Sequence, residues 1–81
     1  MKVRILLFAS FREAAGTSQS TVEVEHDARV SDVWERLVAQ YPPLAPHSGT
    51  AAYAVNGTYA KSGERVSEGD EVAFLPPVSG G

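Results

Sequence analysis

Only one stretch of the 81-residue chain carries an extended helical stripe. Val30, Val33, Trp34, Leu37, Val38 and Tyr41 recur at the i, i+3, i+4, i+7 spacing that lines one face of an α-helix. Ser31 offers an N-cap, Asp32 and Glu35 suit the positive end of the helix dipole, and Pro42-Pro43 ends the run. The remaining apolar stretches have strand character. One helix covers one face of one sheet, so the expected fold class is α+β in a single domain. A chain of this size buries only ~60–65% of its unfolded surface. It has no cysteine, so disulfides, thiolate-held zinc and iron–sulfur clusters are excluded and the core rests on packing alone. The lack of cysteine is compatible with a cytoplasmic location.

The strands follow from period-two patterns. Lys2 to Ala9 reads as the first, with Val3, Ile5 and Leu7 on one face and Arg4, Leu6 and Phe8 on the other. Its MKVRILLFAS start mimics a signal peptide, but the apolar run is too short for one, and far too short to span a bilayer. Ser10-Phe11-Arg12-Glu13 has capping-box spacing, so a short helical segment is expected over Ser10 to Ala15, closed by Gly16. Ser20 to Glu25 alternates as a second strand. Pro42 to Thr50 reads as a loop and Ala51 to Val55 as a third strand. Asn56-Gly57 signals a type I′ hairpin into a short return strand, Thr58 to Ala60. Lys61 to Gly69 is polar and turn-like, and Glu71 to Leu75 is the last strand. The order is β-β-α-β-β-β: a mixed sheet of four to five strands with one main helix on one face. The first and last strands are the most apolar, so they should be central; if they are adjacent and parallel, the C-terminus emerges beside the far end of a central strand.

The helix should cover Val3, Ile5, Leu7, Val22, Val24, Val72 and Phe74. The opposite face would then expose Leu6, Phe8, Ala73 and Leu75, with Tyr59 at its edge. A contiguous apolar patch on an open face marks a binding surface.

Enzyme signatures are missing. His26 and His47 have no spaced partner that makes a triad or metal site and read as solvated loop histidines. Glu64, Glu68, Asp70 and Glu71 surround a turn without calcium-loop spacing, so no metal is expected. The net charge of −3, without a basic stripe, argues against nucleic acid.

The informative element is the end, PPVSGG, Pro76 to Gly81. Residues 1–75 make the expected domain and 76–81 an extended tail. Two prolines stiffen that arm and lower the cost of ordering it on a partner. The diglycine can thread a narrow channel and presents the Gly81 carboxylate without steric cover. A carboxylate is inert to nucleophiles until one oxygen becomes a leaving group, which adenylation by a partner would provide.

LLFASFREAAG (6–16), AVNG (54–57) and above all EGDEVAFLPPVSGG (68–81) closely resemble the small subunits of molybdopterin synthase, the MoaD-type sulfur carriers with a ubiquitin-like β-grasp fold. The likeness covers essentially the whole chain. It is stronger than the likeness to the thiazole-pathway carriers, which tend to lack the PPV element. The resemblance implies a non-catalytic, cytoplasmic carrier that binds no cofactor. An E1-like adenylyltransferase would use ATP to activate Gly81, which then becomes a thiocarboxylate. The tail Pro76, Pro77, Val78, Ser79 and Gly80 would insert into the synthase large subunit. There, sulfur would pass to cyclic pyranopterin monophosphate in molybdenum-cofactor synthesis. Family precedent is a heterotetramer. Leu6, Phe8, Tyr59, Leu75 and Arg12 would meet the partner, although Tyr59 stands where the family has an aliphatic residue. Two other functions share the same tail: a ubiquitin-like protein modifier, and a sulfur carrier for thiamine or tRNA thiolation. A pure interaction module with an incidental tail is the remaining alternative.

Overall fold

The computed structural model describes residues 1–77. Along β1 (Lys2–Leu7), Val3, Ile5 and Leu7 are buried while Lys2 and Arg4 are exposed, so the strand's alternation is its inside–outside pattern. After it come α1 (Ala9–Ala15), β2 (Gln19–Glu23), α2 (Val30–Gln40), a 3-10 helix (Pro42–His47), β3 (Ala52–Val55), β4 (Thr58–Ala60) and β5 (Glu71–Leu75). The five strands lie in the order β2-β1-β5-β3-β4. The two most apolar strands are neighbours in the middle and run parallel, with Ile5 opposite Val72 and Leu7 opposite Phe74.

The stripe of α2 packs on one face of this sheet. Val30, Val33, Trp34 and Leu37 are buried among Val3, Ile5, Leu7, Val22, Val72 and Phe74. Rings fill the far side of this core in a chain. Tyr53 meets Phe74 edge-on at 5.5 Å, Phe74 meets Trp34 at 5.0 Å, and Trp34 meets Phe11 at 5.6 Å.

Several sequence expectations are corrected. Ser31 is not the N-cap of α2. Arg29 is, and the Asp32 carboxylate reaches back to accept the Arg29 N–H at 2.8 Å. The Ser31 N–H donates to the Ser62 carbonyl and the Val30 N–H to the Glu64 carbonyl, both at 2.9 Å, so the polar 61–66 loop caps this helix. Ser10 is not a cap either. The chain leaves β1 at Leu7, Phe8 is the N-cap of α1, and Ala9 turns with a φ of 50°. Gly16 does close α1, in the left-handed region at φ 77°, with its N–H on the Arg12 carbonyl. Residues 42–50 are more than a loop: the 3-10 helix drops Leu44 into the core with no exposure at all. His47 is not a solvated loop histidine, because its ring packs on buried Phe11 at 5.0 Å and is half-buried. His26 is exposed.

No helix among the described residues is long and apolar enough to cross a membrane.

Candidate partner-binding face and C-terminal arm

The face of the sheet away from α2 is ordered by strand register into rows. One row runs Gln19, Leu6, Ala73, Ala54, Tyr59 across all five strands. A second, toward the start of β5, runs Thr21, Arg4, Glu71, where Arg4 and Glu71 form an ion pair at 3.6 Å. The third, toward the end of β5, pairs Leu75 with Ala52. The face is therefore charged at one end and apolar at the other.

Leu6, Ala73, Leu75, Ala52 and Ala54 are half-buried by their neighbours. Phe8 is 44% exposed and Tyr59 79% exposed, the two large hydrophobic side chains left to solvent among the described residues. Sheet neighbours explain the contrast. Leu6 and Leu75 lie on central strands, whereas Phe8 follows the end of β1 and Tyr59 stands on edge strand β4. Sequence reasoning omitted Ala52 and Ala54. Their signal was present, since they alternate with core-facing Tyr53 and Val55.

Parallel pairing of β1 and β5 brings the two strand ends together. Leu7 faces Phe74, so Phe8 and Leu75 come next on neighbouring strands, and the chain leaves the sheet there through half-buried Pro76 and exposed Pro77. Val78, Ser79, Gly80 and Gly81 lie outside the described residues. Arg12 is exposed one helical turn beyond Phe8, its N–H directed at the Phe8 carbonyl. Glu13 beside it is also exposed.

Among the described residues, no group of three or more His, Cys, Asp or Glu side chains could hold a metal ion. The described part of the candidate site is thus an apolar face, with Pro76 and Pro77 leaving the sheet at its rim.

A mixed five-stranded sheet in the order β2-β1-β5-β3-β4 with α2 on one face defines a class, the ubiquitin-like β-grasp fold, and comparison with known proteins agrees. The ThiS family model matches residues 5–81, and the chain belongs to that family. It is 36% identical to the molybdopterin synthase sulfur carrier subunit of Chlamydomonas reinhardtii, over the full length of both chains. The crystal structure of small archaeal modifier protein 1 from Haloferax volcanii superposes with a TM-score of 0.88 at 35% identity, covering all of both chains. A complex of subunits 1 and 2 of molybdopterin-converting factor from Helicobacter pylori matches with a TM-score of 0.69 at 20% identity. It covers all of both chains, a likeness of fold. These relatives include a sulfur carrier subunit, the class anticipated from the terminal block, and a small archaeal modifier protein.

Proposed function

We propose that this chain is the sulfur carrier subunit of molybdopterin synthase. The observation that carries the proposal is the parallel pairing of Leu7 with Phe74, which makes exposed Phe8 and half-buried Leu75 the next residues at the apolar end of the open face, where Pro76 and Pro77 leave the sheet. The full-length identity to a carrier of that name supports it.

In this reading an adenylating enzyme binds the apolar face and takes up the arm. The Gly81 carboxylate attacks the α-phosphorus of ATP. Pyrophosphate leaves and an acyl-adenylate forms. A hydrosulfide equivalent then attacks the acyl carbon, AMP departs with the bonding electrons, and a thiocarboxylate remains. The carrier next docks the same face on the synthase large subunit, a partner suggested by the two-subunit complex of the Helicobacter pylori protein. Its arm delivers the sulfur to the pterin precursor. Each carrier brings one sulfur, so a dithiolene consumes a pair of loaded carriers. Pro76 and Pro77 reduce the backbone entropy lost when the arm is threaded. This chain needs no resident cofactor for that role, because the activating ATP belongs to its partner.

Genetic replacement tests the reading. In a host whose only copy lacks Gly81, molybdopterin synthesis should stop while the purified variant keeps its folded spectrum. Normal synthesis would overturn the proposal.

A second reading has a specific observation behind it. The likeness to a small archaeal modifier protein extends over the whole chain. A modifier would use the same activated Gly81, with a lysine amine in place of sulfur as nucleophile. Isopeptide-linked Gly81 on many cellular proteins would favour it.

A further inference from the structure

Hydrogen bonds at the two ends of the β1–β2 pair fix its phase. The Leu7 N–H donates to the Ser18 carbonyl and the Val24 N–H to the Met1 carbonyl, both at 2.9 Å. In an antiparallel ladder the residues two apart share a direction, so Ser20 and Val22 also bond inward to β1. Gln19, Thr21 and Glu23 therefore direct their backbone groups away from the sheet. Gln19 is already closed off. The Thr17 hydroxyl donates to its carbonyl at 2.8 Å and accepts its N–H at 3.3 Å. Thr21 and Glu23 have no such plug, and β2 has no second neighbour among the described residues. Two N–H and two C=O groups thus stand ready in register.

The opposite edge differs. β4 has three residues, and its two-residue turn places Thr58 in the narrow pair with Val55. Only Tyr59 points its backbone outward there. Open edges are liabilities that folds normally blunt by shortening or covering the strand. Here β4 is short and the start of β2 is plugged, while the middle of β2 is left free.

A cleft of about 730 Å³ begins where that edge ends, at Glu23. One wall is the Asp32, Glu35, Arg36, Ala39 stripe of α2, and the other is the chain from Glu23 to Ala28. Carboxylates dominate the lining: Glu23, Glu25, Asp27, Asp32 and Glu35 stand against Arg36, His26 and the Met1 ammonium, which is 3.8 Å from the Glu23 carboxylate. Unpaired strand groups recognise an extended peptide, and a negative cleft beside them selects lysine and arginine on it.

We propose that the β2 edge is a second docking site, separate from the open face, at which a short basic segment of a partner protein adds as a sixth strand. The segment would pair with Thr21 and Glu23 and lay its cationic side chains along α2. It would leave Phe8, Leu75 and the arm uncovered, so a carrier could be held here while its tail is processed elsewhere.

The test titrates the ¹⁵N-labelled full chain with the blocked hexapeptide Lys-Thr-Arg-Val-Lys-Thr and with its Glu-Thr-Glu-Val-Glu-Thr counterpart. The basic peptide should shift the amides of Thr21, Glu23, Arg36 and Ala39, and the acidic one should not. Thr21→Pro removes an outward N–H without touching the inner ladder, and should weaken binding ~10-fold, as losing one or two backbone hydrogen bonds requires. Glu35→Lys should weaken it similarly and leaves the strand intact, so it decides the matter if the proline variant fails to fold. Equal binding of both peptides, shifts confined to Leu6, Ala73 and Tyr59, no shifts at millimolar peptide, or full affinity in folded variants would each overturn the proposal.

Discussion

Asn56 and Glu71 hold each other by reciprocal hydrogen bonds. The Asn56 N–H donates to the Glu71 carbonyl at 2.8 Å, and the Glu71 N–H donates to the Asn56 side-chain oxygen at 3.0 Å. The Asn56 amide nitrogen also donates to the Asp70 carboxylate at 3.0 Å. One turn residue thereby fixes where β5 begins, and so which residues of β5 face the open side. Asn56 has a φ of 51° and Gly57 of 85°, the left-handed pair that the two-residue hairpin requires.

Asn56→Ala should therefore destabilise the fold by about 1–2 kcal/mol, from left-handed strain and the lost side-chain bonds. Asn56→Gly removes the bonds but not the conformational tolerance, and should cost less. Urea unfolding followed by the single Trp34, buried and donating its ring N–H to Ser48 at 2.9 Å, measures both.

Ala9 is the other non-glycine residue with a left-handed backbone, at φ 50°. The turn it makes ends β1 and sends Phe8 out to solvent. Ala9→Gly should stabilise the protein by about 0.5–1 kcal/mol, because strain relief outweighs the added chain entropy. A lower urea midpoint would contradict this.

Leu44 is as buried as Leu37, though it sits in a proline-rich segment rather than on the helix stripe. Leu44→Ala and Leu37→Ala should both cost about 2–5 kcal/mol. A domain of this size is stable by only roughly 0.05–0.15 kcal/mol per residue. Both variants should thus lose a large share of the total stability and unfold at clearly lower urea, followed by circular dichroism. A mild Leu44 variant would show that the 3-10 helix is dispensable.

Those elements mark where the sequence was legible. Period-two and period-3.6 patterns located β1, β2, α2 and β5, because each buries a single face. The central position of β1 and β5 followed from their being the most apolar strands, whereas their parallel pairing needed the structure. The Asn-Gly turn was legible because few residues tolerate its dihedrals. Leu44 was not, since an isolated apolar residue between prolines has no period to reveal it. The helix caps failed for a related reason: the donors at the start of α2 are satisfied by carbonyls of Ser62 and Glu64, far along the chain. Of the face, Leu6, Phe8 and Leu75 could be read from alternation, and so could Ala52 and Ala54, but the rows they share with Leu75 and Ala73 needed the register of β3 on β5.

Phe8→Asp separates stability from partner binding. The ring is 44% exposed and Asp is a favoured N-cap for α1, so the lost apolar contact is partly offset and the fold should persist, with a stability change of about 1 kcal/mol or less. Affinity for the synthase large subunit, measured by calorimetry, should fall at least ~30-fold, the loss of about 2 kcal/mol expected of an aromatic anchor. Tyr59→Asp should act in the same direction. Unchanged affinity in both would remove the open face from the account.

The central claim is that Gly81 carries sulfur, and intact mass spectrometry tests it most directly. The protein is incubated with the adenylating enzyme, ATP and a sulfide source, then weighed and fragmented. The account predicts exchange of one oxygen for one sulfur, localised to Gly81, and no exchange without ATP. A terminus that stays a plain carboxylate under conditions that load an established carrier would contradict it.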